Sequence, residues 1–68
     1  MAMNAWEVQA LMDELQDLKM NRRKAVAARL KAARALGDLC DNPEYDATKD
    51  EQWQVENRIA EIEELLKL

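Results

Sequence analysis

The stretch Gly37-Asp38-Leu39-Cys40-Asp41-Asn42-Pro43-Glu44-Tyr45 decides the fold of this chain. It holds the only glycine and the only proline of the sequence, and long segments with helical periodicity lie on either side. Gly37 takes a positive φ without steric cost and is the natural stop of a preceding helix. Asn42 followed by Pro43 reads as the N-cap and first residue of a second helix, where proline's missing N–H costs nothing. Helices joined by so short a connection run antiparallel. The same stretch carries the acids Asp38, Asp41 and Glu44, the last favoured by the helix dipole. The expectation is an all-α fold, a long antiparallel two-helix coiled-coil hairpin with an acidic tip.

Upstream, Asn4 is a good N-cap and Glu7 stands where a capping box places its acid. Val8, Leu11, Leu15 and Leu18 then recur at helical spacing along one face. That register meets Arg22 and Arg29, which do not belong in a seam. It recovers through Ala25, Ala32 and Leu36, or shifts to Val26, Leu30 and Ala33; periodicity alone leaves both open. Downstream, Tyr45, Thr48, Gln52, Val55, Ile59, Ile62 and Leu66 form an unbroken heptad seam, polar near the tip and apolar beyond. The spacing predicts a helix over about 5–36, a tip over about 37–42 and a helix over about 43–68. Pairing Leu36 with Tyr45 sets Leu15 against Leu66. It also leaves Trp6, Val8 and Leu11 without a partner in the chain, a cue for further chain or a homo-dimer.

A chain of 68 residues is at most one small domain with a limited core. Its abundance of Ala, Leu, Glu, Lys and Arg belongs to long helices. The single cysteine, Cys40, excludes an internal disulfide and suits a reducing compartment, the cytoplasm. No apolar run nears the roughly 20 residues of a membrane span, and no export signal is expected. A formal charge of −4 gives no global reason to bind nucleic acid. The charge is uneven, however. Lys19, Arg22, Arg23, Lys24, Arg29, Lys31 and Arg34 crowd one half of the first helix, whereas Asp38, Asp41, Glu44, Asp46, Asp50 and Glu51 gather at and after the tip. The plain reading of the basic run is a solvated helix face. Cys40 has no histidine or second cysteine to work with, and no nucleophile–base pair, phosphate loop or closed metal site exists, so independent catalysis is not expected.

Gly37-Asp38-Leu39 followed by Asp41-Asn42-Pro43-Glu44-Tyr45 resembles the tip signature Gly-Asp-Leu-x-Glu-Asn-Ala-Glu-Tyr of the bacterial transcript cleavage factors GreA and GreB. Glu14-Leu15 with Leu18-Lys19, and Glu56-x-Arg58-Ile59 with Glu63 and Leu66, resemble that family's flanking segments. The resemblance implies the family's N-terminal coiled-coil hairpin, which enters the secondary channel of bacterial RNA polymerase. It implies an accessory factor, not an enzyme, that helps the polymerase hydrolyse the extruded 3′ end of backtracked RNA. By position, Asp38 and Asp41 would be the acids that stabilise a magnesium ion shared with the polymerase active site, with Glu44 and Tyr45 supporting the tip. Arg34 and Lys49 correspond to a basic patch that contacts the RNA 3′ segment. No cofactor is expected on the isolated chain.

The chemistry is reasonable without the family. Magnesium takes hard oxygen ligands and often only one or two protein carboxylates. Acids on a free tip are therefore half a site, completed by a partner that already holds metal. Arg34 and Lys49 would offset repulsion between those acids and RNA phosphates. The chain departs from the pattern at Asp41, one methylene shorter than the usual Glu, and at Pro43 in place of Ala. At Trp53, which the heptad turns outward, the family tends to small residues. The family's C-terminal globular domain has no counterpart among these 68 residues. The shorter Asp41 and the missing domain motivate a second reading, a channel-occupying regulator without cleavage activity; a third is a structural self-associating coiled coil.

Overall fold

The computed structural model describes residues 3–36 and 42–67. Helix α1 spans Ala5–Asp17, a π-turn covers Leu18–Arg22, α2 spans Arg23–Arg34, and α3 spans Pro43–Leu66. The backbone stays right-handed helical from Ala5 to Arg34, so α1, the π-turn and α2 form one arm and α3 the other. The molecule is a rod of 48 × 19 × 15 Å. Asn4 caps α1 by accepting the Glu7 amide on Oδ1 at 2.8 Å. Asn42 caps α3 ahead of Pro43, accepting the Tyr45 amide at 3.0 Å. At the other end of α3, Lys67 takes the left-handed conformation (φ 56°) that closes a helix, with its amide on the last carbonyls.

The arms meet along one seam. Leu15, Val26, Val55, Ile59 and Ile62 form its buried centre, with Leu11, Leu18 and Leu66 packed against them. Leu30 and Ala33 continue the burial toward the tip, opposite Thr48 and Asn42. On α3 the seam follows the heptad expected from sequence. On the first arm the second register holds: Val26, Leu30 and Ala33 are buried, whereas Ala25, Ala32 and Leu36 are exposed.

The π-turn supplies the reason. The Arg23 amide reaches back to the Leu18 carbonyl, five residues away. One extra residue is thus absorbed within a turn, and such a bulge resets which face the following residues present. Without it, each further residue of a regular α-helix advances by about 100°. The stripe Leu11, Leu15, Leu18 would then continue through Arg22, Ala25 and Arg29. With one residue looped out it continues through Arg23, Val26, Leu30 and Ala33.

Two expectations need correction. Leu36 does not pack on Tyr45; it is 70 % exposed, because the shift carries it off the seam. Leu11 does not lack a partner: it is half-buried against the core cluster. Val8 is half-buried as well, and only Trp6 of that trio is left open, at 79 % exposure. Trp53 faces outward as its heptad position requires.

Ion pairs flank the seam. Lys19 reaches Glu63 at 2.9 Å, Arg23 grips Glu56 with both Nε and Nη2, and Arg58 grips Glu14 in the same two-pronged way. Arg22 lies 3.6 Å from Glu51, which Arg29 also contacts. The basic run is therefore not simply a solvated face. Four of its cations clamp one arm to the other. The two arginines that did not fit the seam are among them.

Candidate functional site at the hairpin turn

The site expected from sequence straddles the turn, and its residues fall into two groups. Asp38 and Asp41, with Gly37, Leu39 and Cys40, lie outside the described residues. Glu44, Tyr45, Arg34 and Lys49 are described, and so is the framework that carries them.

That framework is built around Asn42, which is 8 % exposed. The first N–H groups and last C=O groups of any helix lack intrahelical partners. Asn42 satisfies one of each, on different helices. Its Oδ1 accepts the Tyr45 amide at the start of α3, while its Nδ2 donates to the Ala33 carbonyl near the end of α2 at 2.7 Å. The same Ala33 carbonyl also accepts the Leu36 amide at 3.2 Å. Ala33 is itself 2 % exposed, and any larger side chain there would push the arms apart. Beneath this tie Thr48, also buried, returns its hydroxyl to the Glu44 carbonyl at 2.7 Å. Among the described residues no buried side-chain polar atom lacks a partner.

Tyr45 and Arg34 come together. The guanidinium lies 6.0 Å from the ring centroid, the outer range of a cation–π contact. Tyr45 thus braces the turn against Arg34, not against Leu36. Arg34 keeps an exposed surface while it does so, as does Lys49 one turn further along α3. Glu44 sits exposed in the first turn of α3 beside Asp46, at the positive end of the helix dipole. Among the described residues no group of three or more His, Cys, Asp or Glu side chains is arranged to hold a metal ion. No described helix is long and apolar enough to cross a membrane.

Sequence reasoning identified Asn42 as a cap but missed its second hydrogen bond. The signal was faint: an asparagine at a helix start, with an alanine rather than a large residue opposite. The clamps Arg23–Glu56 and Arg58–Glu14 were missed too, although both arginines lie on faces next to seam residues.

Fold and turn together define the class: a two-helix antiparallel coiled-coil hairpin whose arms are cross-tied at the turn. A family model described as transcription elongation factor, N-terminal, matches residues 2–68. The chain belongs to this family, the N-terminal domain of GreA and GreB. It is 60 % identical over 57 residues to transcription elongation factor GreA of Lachnoclostridium phytofermentans, covering 84 % of this chain and 36 % of that protein. GreA of Bacillus cereus is 52 % identical over 59 residues, covering 87 % of this chain and 37 % of the relative. GreA of Bacillus cytotoxicus is 53 % identical over 57 residues, covering 84 % and 36 %. The chain therefore spans little more than a third of the length of these curated relatives. No solved structure matches it.

Proposed function

We propose that this chain is the polymerase-entering hairpin of a bacterial transcription elongation factor, and that it stimulates cleavage of backtracked RNA. The observation that carries the proposal is a rod 19 Å by 15 Å across, with its helices tied at one end to an acid-bearing connection and with transcription elongation factors as its kin. A shape of this kind delivers a few side chains into a narrow channel. In this reading Asp38 and Asp41 face the RNA polymerase active centre, and the protein acts as an accessory to the polymerase's own hydrolysis.

Two carboxylates are the hard oxygen donors that magnesium prefers, and two are too few to retain it alone. A magnesium ion completed by the polymerase would acidify a water and clamp the scissile phosphate. The chain's own contribution is positional. Glu44 and Asp46 add negative charge at the start of α3, and Arg34 and Lys49 set positive charge within reach of the 3′ RNA phosphates. Arg34 is steadied by Tyr45, which lowers the entropy lost when it meets RNA.

The test is release of 3′ RNA fragments from a backtracked bacterial polymerase complex with magnesium, comparing this chain with its Asp38→Asn, Asp41→Asn double variant. Release that depends on the acids supports the reading. Asp41, shorter than the family's usual Glu, favours a second one: occupancy of the channel without cleavage. Slowed elongation that survives the double substitution, with no fragment release, would replace the first reading by the second.

A further inference from the structure

We propose that Asn42 is a positioning residue for the RNA cleavage function, setting the separation and rotation of the two helix ends that present the turn. The inference rests on the cleavage reading above.

An N-cap needs only an acceptor. Aspartate and serine serve as well as asparagine, and threonine nearly so. Here the cap is buried and its amide nitrogen is used: Nδ2 donates to the Ala33 carbonyl on the opposite arm at 2.7 Å. Of the four preferred cap residues only asparagine has both an acceptor and an N–H donor on one planar group. A single rigid amide thus spans two helix ends, with one atom on each.

The neighbourhood gives this tie its importance. Among the described residues nearest the turn the seam has no pair of large aliphatics: Leu30 and Ala33 are buried opposite Thr48 and Asn42, and Leu36 is exposed. Apolar packing therefore fixes the far half, whereas hydrogen bonds fix the turn half. Packing of small residues tolerates sliding. A hydrogen bond of 2.7 Å with both partners buried does not, since breaking it strands the Asn42 amide donor away from water. The Arg34 guanidinium over Tyr45 is the second strap across the same end, on the exposed side.

The test compares Asn42→Asp and Asn42→Ser with the unaltered chain. Both keep an acceptor for the Tyr45 amide; aspartate has no donor for the Ala33 carbonyl at neutral pH, and serine has one only on its shorter hydroxyl. Fragment release from backtracked polymerase is measured against factor concentration, giving a maximal rate and a half-saturating concentration. A displacement near 1 Å at reacting groups costs on the order of 10²-fold in rate. The expected result is a maximal rate reduced by about 10-fold to 100-fold in both variants, with the half-saturating concentration and the helical circular dichroism little changed. A merely structural cap would instead shift melting and half-saturation together. Maximal rates within about twofold of the unaltered chain would overturn the proposal.

A second measurement does not depend on the polymerase. Amide hydrogen exchange of the free chain is followed at residues 36–45. Faster exchange at the helix ends in Asn42→Asp, with the Val55–Ile62 amides unchanged, is the expected result. Unchanged exchange throughout would overturn the tie. If the unaltered chain releases no RNA, the cleavage reading fails, and this exchange measurement still decides whether Asn42 sets the helix ends.

Discussion

At the scale of single residues, the fold leans on a few side chains with no substitute. Ile62 is fully buried at the centre of the core cluster. Truncating such an aliphatic costs about 2–5 kcal/mol, through lost transfer energy and the cavity left behind. A domain this small has little more than that to lose. Ile62→Ala is expected to abolish cooperative urea unfolding at 25 °C or to move its midpoint close to zero denaturant. Trp53→Ala, on the exposed face of α3, is expected to change stability by less than about 0.5 kcal/mol in the same measurement. Residue roles were legible where they depend on local backbone alone. Both asparagine caps and the Pro43 helix start are of this kind. The Asn42–Ala33 tie and the Arg34–Tyr45 contact were not, because each joins residues whose approach is set by how the arms rotate against each other.

At the scale of elements, the π-turn is the feature on which the hairpin's pairing depends. It absorbs one residue, so the apolar stripe of α1 and that of α2 fall on one side of a single rod. Deleting Met20, which is half-exposed within the turn, should let the arm become a regular α-helix. Val26, Leu30 and Ala33 then stay on the seam. The expected outcome is a variant at least as stable as the unaltered chain to heat, followed by circular dichroism. Inserting one alanine after Met20 should do the opposite. It advances α2 by about 100° unless a second bulge forms. The buried face of α2 is then lost, and so is protection of its amides from hydrogen exchange. Equal stability for the deletion and the insertion would show that the phase of α2 does not matter. Two registers were readable from sequence, and only the structure chose between them. Hydrophobic spacing reports the period of each half, and the π-turn lies in Leu18–Arg22, where Lys19, Asn21 and Arg22 carry no hydrophobic phase.

At the scale of the whole molecule, the hairpin is a long, thin body with one seam and charged flanks. Its inter-arm ion pairs have side chains more than a third exposed on one partner or both, so each is screened and individually weak. Their collective effect should show in pH dependence. The hydrogen bonds from Arg58 hold the Glu14 carboxyl below its ordinary value of 4.5, and those from Arg23 do the same for Glu56. A carboxylate whose folded pKa is depressed stabilises the fold above the unfolded pKa. That stability disappears as pH falls through the folded value. The melting temperature is therefore expected to be level above about pH 5 and to fall steadily as pH drops below 4.5. Repulsion among the 10 lysines and arginines, no longer balanced, acts in the same direction. In Glu14→Gln, Glu56→Gln the acid limb should be shallower; an unchanged limb would place the effect elsewhere.

The sequence by itself determined the two helical arms and their antiparallel sense. Those follow from caps, a lone Gly and Pro, and a connection too short for any other arrangement. It also carried the tip signature by which the chain's kinship is recognised. Only the tertiary structure decided which face of α2 is buried and where the basic residues point. It likewise decided what Asn42 holds. Each of these depends on the relative rotation of two rods, which is set by the sum of many contacts across the seam and by no residue or spacing along either arm.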